Sequence, residues 1–208
     1  MRGISGAAFS AGLALVAALS QASPARAEPA PEVTGNWAGP SNQGFYFRAA
    51  LEQSAPDSVS LLIWNGSDAV PARVGEPALN VPEFALSAFV RAQGLQLVED
   101  ADGTTLQVVT DFADEVAEGR EVVSIQFLDF QYTVVGYSHH SEEYAEGGGT
   151  IPYACDIDFR GGKVTENGTT RDLPAMDFEA TNASGWHFAA AFDRGWCGID
   201  DPGDGDAG

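Results

Sequence analysis

The stretch that decides the fold is residues 121–140, EVVSIQFLDFQYTVVGYSHH, in which apolar side chains recur at every second position. The alternation keeps one phase up to residue 127 and takes the other from residue 130: Val123, Ile125, Phe127, then Phe130, Tyr132, Val134. A period of two is that of an extended chain, and β-branched and aromatic residues favour strands. The change of phase near residues 128–129 indicates either one strand with a bulge or two strands that meet at a bend.

Similar alternation continues along the rest of the chain. Residues 95–99 and 104–112 flank a glycine-containing turn and predict a hairpin. The dipeptide Asn65-Gly66 predicts a tight turn. Further strands are predicted at 58–64, 69–74, 150–159 and 185–192, whereas 82–90 would suit a strand or a short helix. Roughly nine to ten short strands with little helix predict an all-β, antiparallel small barrel or sandwich.

The ends of the chain differ from its middle. Residues 1–27 begin with Met1-Arg2, continue with an apolar stretch at 7–19 and end in Ala-Arg-Ala, the pattern of a secretory signal peptide cleaved near Ala27. The alternative is a membrane anchor, but the apolar stretch is shorter than the ~20 residues that a spanning helix needs. We therefore expect one all-β domain over residues 28–199, without a membrane span in the mature chain, and a disordered acidic tail at 200–208.

The charge of the chain narrows the choice of partners. Removal of residues 1–27 takes away two arginines and no carboxylate, which leaves 8 basic and 30 acidic residues and a formal charge of −22. Such a surface repels nucleic acid and anionic lipid, so neither is expected as a partner. The acidity serves solubility, or alternatively forms an acidic docking face. A single lysine, Lys163, in an Ala-, Gly- and Arg-leaning chain indicates a bacterial source, so the compartment is periplasm or extracellular medium.

The two cysteines, Cys155 and Cys197, form an even pair in an exported chain, which predicts one disulfide bond. The bond would close a loop of about 43 residues and stabilise the fold by up to about 4 kcal/mol. Two buried thiols or a metal pair are the alternatives.

Two short patterns resemble the calycin group of β-barrels, the lipocalins and their relatives. Gly35-Asn36-Trp37 is similar to the Gly-x-Trp of that group, and Thr110-Asp111-Phe112 to its Thr-Asp-Tyr. The resemblance covers six residues. It implies a small antiparallel barrel, with Trp37 at the closed end, a cavity for an apolar ligand, and an arginine such as Arg194 or Arg120 stacked on the tryptophan.

Possible metal ligands are densest at His139, His140, Glu142 and Glu143, because imidazole and carboxylate together suit zinc or copper. Adjacent strand residues point to opposite faces, so both histidines can bind one ion only if the strand has ended there. The alternative is a polar strand end. The acidic segments 100–103 and 200–206 resemble pieces of calcium loops but lack the full spacing, so a hairpin turn and a solvated tail explain them.

No common catalytic motif occurs in residues 28–208, and no cofactor is expected. The leading hypothesis is therefore a non-enzymatic binder of a small apolar ligand. The many aromatic residues would line its cavity or simply form the core. The alternative is a protein-interaction or inhibitor-like module that binds another exported protein, for example through residues 113–119. A hydrolase with dispersed catalytic residues is the third hypothesis, for which a histidine within reach of Ser or Asp in a cleft would be the sign.

Overall fold

The computed structural model describes residues 30–39, 44–56, 58–86, 89–100, 103–176 and 178–198. The predicted signal peptide at 1–27 and the tail at 200–208, including the acidic segment 200–206, lie outside the described residues. These boundaries therefore stay predictions.

The described residues form eleven strands in two antiparallel sheets, so the prediction of an all-β antiparallel fold is confirmed, with more strands than the nine to ten expected. The four-stranded sheet has the order β1-β2-β3-β4, from β1 Glu32–Asn36, β2 Tyr46–Ala55, β3 Ser58–Gly66 and β4 Leu79–Leu86. The seven-stranded sheet has the order β11-β10-β9-β8-β7-β6-β5, from β5 Val90–Asp100, β6 Gly103–Ala113, β7 Ala117–Leu128, β8 Gln131–Tyr144, β9 Thr150–Asp158, β10 Lys163–Glu166 and β11 Thr169–Asp172.

Both sheets cover one hydrophobic core. They meet at one seam, where Ala30 and Leu95 exchange both of their backbone hydrogen bonds. In the described part of the chain the sheets do not close into a barrel. Of the two predicted architectures, the closed barrel is therefore not present among the described residues, which form two sheets over one core.

The stretch 121–140 forms two strands, not one. β7 and β8 pair from Ala117 opposite Glu143 to Leu128 opposite Gln131, and the turn between them is Asp129-Phe130. Both turn residues have positive φ, 48° and 65°, as in the tight hairpin turns that match strand twist. The hairpin turn explains the change of phase in the sequence.

A β-bulge interrupts this hairpin in its middle. Ser124 pairs with Gly136 and Ile125 pairs with Val134, so Val135 is an extra residue on β8. Bulges bend a strand and re-aim its side chains, and they recur beside functional sites. Here the bulge places Gly136 at the centre of the face of the seven-stranded sheet that points away from the core.

The Gly35-Asn36-Trp37 motif lies at the end of β1. Trp37 stacks on Phe47 with 3.8 Å between ring centroids, and the Phe47 ring also lies over Gly35, where a Cβ atom would come within 2.8 Å of it. The Trp37 indole N–H donates to Asn65 Oδ1. Gly35 is therefore required by the packing of Phe47.

Three predicted elements are wrong: the turn at 65–66, the strand at 69–74 and the strand at 185–192. Asn65-Gly66 ends β3 rather than forming a hairpin turn, and residues 69–74 form no strand, so that β3 pairs with β4 instead. Residues 82–90 are divided between the strands β4 and β5, without a helix in their described part.

The third wrong element is the strand predicted at 185–192. Residues 178–193 contain two 3₁₀ turns, Phe178–Thr181 and Ala183–Gly185, and the short helix α1, Ala190–Asp193. We call residues 178–198 the C-terminal segment. It packs against the core through Trp186 and Trp196, and the predicted disulfide between Cys155 on β9 and Cys197 is present, with 6.0 Å between the two Cα atoms.

Candidate functional site

A groove runs across the outer face of the seven-stranded sheet, the face that points away from the core. We call it the outer groove; its volume is about 590 Å³. Its polar lining residues come from five adjacent strands, β6 to β10: Gln107, Arg120, Ser124, Ser138, His140, Asp156, Asp158, Lys163 and Thr165. The volume lies within the range of small-molecule sites in proteins.

The strand register places the residues at the centre of the outer groove opposite one another, in a single row across the strands. Gln107 pairs with Ser124, Ser124 with Gly136, Gly136 with Asp158, and Asp158 with Lys163. The Gln107 amide donates to Ser124 Oγ at 3.1 Å, so these two side chains hold each other in place. Gly136 contributes no side chain, which leaves space at the middle of the row.

Space for a side chain does exist at position 136. A Cβ atom added to Gly136 would make ordinary contacts, 3.5 Å from Ile157 O and from Ser124 Cβ. A larger side chain there would extend into the outer groove. The groove can thus be filled by one substitution that does not touch the core.

The two cations of the outer groove, Arg120 and Lys163, are paired with carboxylates on the same face. Arg120 binds Asp111 through two hydrogen bonds, of 2.5 and 3.0 Å, and the hydrogen bond to this carboxylate raises the pKa of Arg120. Lys163 binds Asp172, and this hydrogen bond lowers the pKa of Asp172. Because the cations already have carboxylate partners, the groove presents little unbalanced positive charge.

A histidine–aspartate pair lies at the side of the outer groove. His140 Nε2 is 3.0 Å from both carboxylate oxygens of Asp156, and the two side chains are about half exposed, 57% and 50%. In the described part of the chain no hydroxyl group is hydrogen-bonded to His140. A histidine within reach of an aspartate in a cleft, the sign named for the hydrolase hypothesis, is therefore present, but among the described residues no nucleophile is joined to it.

A second polar cluster is buried on the inner face of the same sheet. Glu121 accepts hydrogen bonds from the Tyr137 hydroxyl, at 2.7 Å, and from the Ala189 N–H, at 3.1 Å. Burial, and after it the negative charge of Glu121, raises the pKa of Tyr137. His139 lies beside them, 3.9 Å from Glu121 and in contact with the rings of Phe112 and Phe192. This cluster anchors the C-terminal segment to β7.

Comparison with protein-family models, with curated proteins and with solved structures found no match. The resemblance to calycins therefore stays a prediction. The two arginines named as candidates to stack on Trp37 have other partners. Arg194 lies over Trp186 and Trp196, and Arg120 pairs with Asp111 of the second motif.

The structure does not bring the four predicted metal ligands together. β8 continues to Tyr144, so alternation places His140 and Glu142 on the outer face and His139 and Glu143 on the opposite one. His139 is buried, whereas His140 pairs with Asp156. Among the described residues, no group of three or more His, Cys, Asp or Glu side chains is placed to hold a metal ion. Both histidines could bind one ion only if the strand ended at them, and β8 does not end there.

The aromatic residues that were candidates for a ligand cavity largely contact one another. Trp37, Phe45, Phe47, Phe127 and Tyr132 form one connected set of ring contacts. A second set surrounds Trp186 and includes Tyr137, Phe159 and Trp196. Apart from Phe45, which is 46% exposed, these rings belong to the packing of the interior. Of the residues named, Tyr137 also lines the outer groove.

The buried tyrosines predict that alkaline pH weakens the fold. Burial raises the pKa of Tyr132 to about 12. Unfolded tyrosines ionise near pH 10, so the stability that this group contributes is complete below about pH 10 and is lost as the pH rises through about 12. Urea denaturation at a series of alkaline pH values should show this decline, and Tyr132→Phe should make it shallower. An unchanged decline in the variant would contradict the assignment to Tyr132.

No helix in the described part of the chain is long and apolar enough to cross a membrane.

Proposed function

We propose that this chain is an exported binding protein whose ligand is a neutral, hydroxyl-bearing small molecule of the saccharide type, held in the outer groove. The observation that carries the proposal is the groove itself, about 590 Å³ in volume, whose lining includes hydroxyl and amide side chains from four strands. Export is supported by the signal-peptide pattern of residues 1–27 and by the Cys155–Cys197 disulfide, a bond typical of oxidising compartments.

The chemistry of the lining supports a neutral polar ligand over an apolar one. Serine, threonine and glutamine side chains both donate and accept hydrogen bonds, as sugar hydroxyls do. The groove has Gln107, Ser124, Ser138 and Thr165 on one surface. Gln107 and Ser124 are hydrogen-bonded to each other, and Thr165 is hydrogen-bonded to Thr170. An apolar ligand would still remove water from the remaining hydrogen-bonding positions of these groups, which is unfavourable.

The charges of the groove also disfavour an anion. Arg120 and Lys163 are bound to Asp111 and Asp172. An anionic ligand would have to break these pairs in a chain that carries a formal charge of −20. A neutral ligand leaves the pairs intact.

Gly136→Val tests the site, because its side chain would fill the middle of the groove. A panel of neutral monosaccharides, disaccharides and polyols is titrated against both proteins by calorimetry and by NMR shift mapping. We expect binding to the native chain, with shifts on β7 and β8, and at least about tenfold weaker binding to the variant.

The matched control is Gly185→Val, a substitution at an exposed glycine outside the groove, where an added Cβ atom has only Arg194 nearby, at 3.9 Å. This variant should bind as the native chain does. Equal affinity in all three proteins, or no saccharide binding by the native chain, would exclude the proposed function.

An exposed apolar patch supports a second candidate, a protein-interaction module. Val116, in the segment 113–119, is 67% exposed, and Tyr144 and Ile151 are exposed at the same end of the sheet. Tyr144 donates its N–H to Val116 O at 2.8 Å, so the two residues are neighbours. A photo-crosslinker at position 116 should capture a defined partner that a crosslinker at the exposed Val74 does not. The absence of such an adduct would remove this candidate.

A further inference from the structure

The outer groove continues at both ends into further cavities. Toward the β7–β8 turn lies a cavity of about 320 Å³, which shares Gln107, Ser124, Gly136 and Asp158 with the outer groove. We call it the hairpin-end cavity. Toward the other end of β7 lies a cavity of about 500 Å³, which shares His140 with the outer groove. We call it the acidic-end cavity, because Glu118 and Glu142 line it.

The three cavities follow the direction of β7. The acidic-end cavity is lined by Glu118 and the hairpin-end cavity by Gln126, and both residues lie on that strand. Eight residue steps of about 3.3 Å each correspond to roughly 26 Å of continuous surface. A single small sugar would fill only the middle third of it.

We infer that the ligand is a neutral oligosaccharide chain of several units that lies along β7 and β8 through all three cavities. This inference rests on the proposed function of the outer groove. The shared lining residues make the cavities subsites of one path, so that a linked chain can occupy them together.

The strand ladder favours a saccharide chain over a peptide. Extended peptides bind sheets mainly by pairing their main chain with a free strand edge. β7 and β8 each have a paired strand on both sides along the groove, so their backbone groups are used within the sheet. Recognition here must come from side chains, and along the path these include Thr105, Gln107, Ser124 and Ser138.

The hairpin-end cavity adds a further polar row. The Gln126 amide donates to Thr105 Oγ1 at 2.6 Å, and Arg160 donates to Gln126 Oε1. These side chains are held in place before a ligand arrives, which reduces the entropy lost on binding. Gln126 and Thr105 are buried, so the exposed group that this row presents beyond the outer groove is Arg160, which the Gln126 amide oxygen holds in position.

A length series tests the inference. Neutral oligosaccharides of several linkage types, from monosaccharide to hexasaccharide, are titrated against the full chain by calorimetry. We expect affinity to rise by about tenfold or more from the shortest to the longest member of the series that binds, and then to level off.

Two variants fill the end cavities and leave the middle open. Val98→Phe adds bulk at the hairpin-end cavity and Ala154→Leu adds bulk at the acidic-end cavity. Each should reduce the affinity for the hexasaccharide toward that for a shorter chain, and each should leave monosaccharide binding unchanged. Gly136→Val should weaken the binding of both.

The outcomes separate the two proposals. If a monosaccharide binds as tightly as the hexasaccharide, or if the end variants have no effect on the hexasaccharide, the extended ligand is excluded and the central site stands. If no saccharide of any length binds, or if a peptide series binds instead, both proposals fail.

Discussion

Trp186→Ala is expected to destabilise the protein by about 3–5 kcal/mol, the range for removal of a large buried aromatic side chain. Trp186 is 1% exposed and contacts the rings of Tyr137, Phe159 and Trp196. Tyr137 lies on β8, Phe159 follows β9 directly, and Trp196 belongs to the C-terminal segment, so the cavity cannot collapse by the movement of one loop. Urea denaturation followed by circular dichroism measures the loss.

Two control variants sharpen this measurement. The indole N–H of Trp186 has no hydrogen-bond partner among the described residues, so Trp186→Phe removes an unpaired donor as well as volume and should cost much less than the alanine variant. Phe130→Ala removes an aromatic ring that is 88% exposed and should change stability by about 0.5 kcal/mol or less. Similar losses for Trp186→Ala and Phe130→Ala would contradict the packing described for the C-terminal segment.

Local patterns sufficed to predict the strands whose register is set by nearby turns. The hairpin of β5 and β6 follows from alternation on both sides of a glycine-containing turn. Between β10 and β11, Asn167 and Gly168 have φ values of 46° and 82°, the left-handed conformation that an Asn-Gly turn prefers. The cysteine pair was likewise predictable, because two cysteines allow only one intramolecular bond.

Tertiary contacts override the same local signals elsewhere. Asn65-Gly66 carries a tight-turn signal, but the Asn65 side chain bridges Trp37 and the Tyr132 hydroxyl, and these partners are distant in sequence. Residues 185–192 alternate as a strand would. Their backbone instead follows the packing of Trp186 and the bond from Cys197 to β9. Neither constraint is visible within a short window of sequence.

The candidate site could not be assembled from the sequence. Gln107, Ser124, Asp158 and Lys163 lie in four separate segments, and each alone fits the solvent-exposed face of a strand. Only the strand register, including the bulge at Val135, brings them into one row. The sequence does contain one signal for the site, Gly136 within the apolar stretch 121–140. A glycine inside a strand often marks a bulge or a close approach of a ligand.

Removal of the disulfide is expected to have the second large effect on the stability of the fold. The double variant Cys155→Ala, Cys197→Ala should lose about 2–4 kcal/mol, because the bond closes a long loop and so restricts the unfolded chain. The separation of the two cysteines is 42 residues. The β-sheets should persist, since other contacts still hold the C-terminal segment. Among them, Arg171 donates to Trp196 O at 2.7 Å, and the Gly198 N–H donates to Glu166 at 2.7 Å.

Comparison of the double variant with the reduced native chain distinguishes the stability contributed by the disulfide from the stability contributed by the packing around it. Cys155 and Cys197 are both buried, so a reductant should reach the bond slowly in the native protein and rapidly once urea opens the C-terminal segment. Reduced native chain and double variant should then show the same urea midpoint, below that of the oxidised chain. Adding Arg171→Met to the double variant should lower the midpoint again, because the Trp196 carbonyl loses its donor. A midpoint that is equal in oxidised and reduced protein would show that the bond does not hold the C-terminal segment in place.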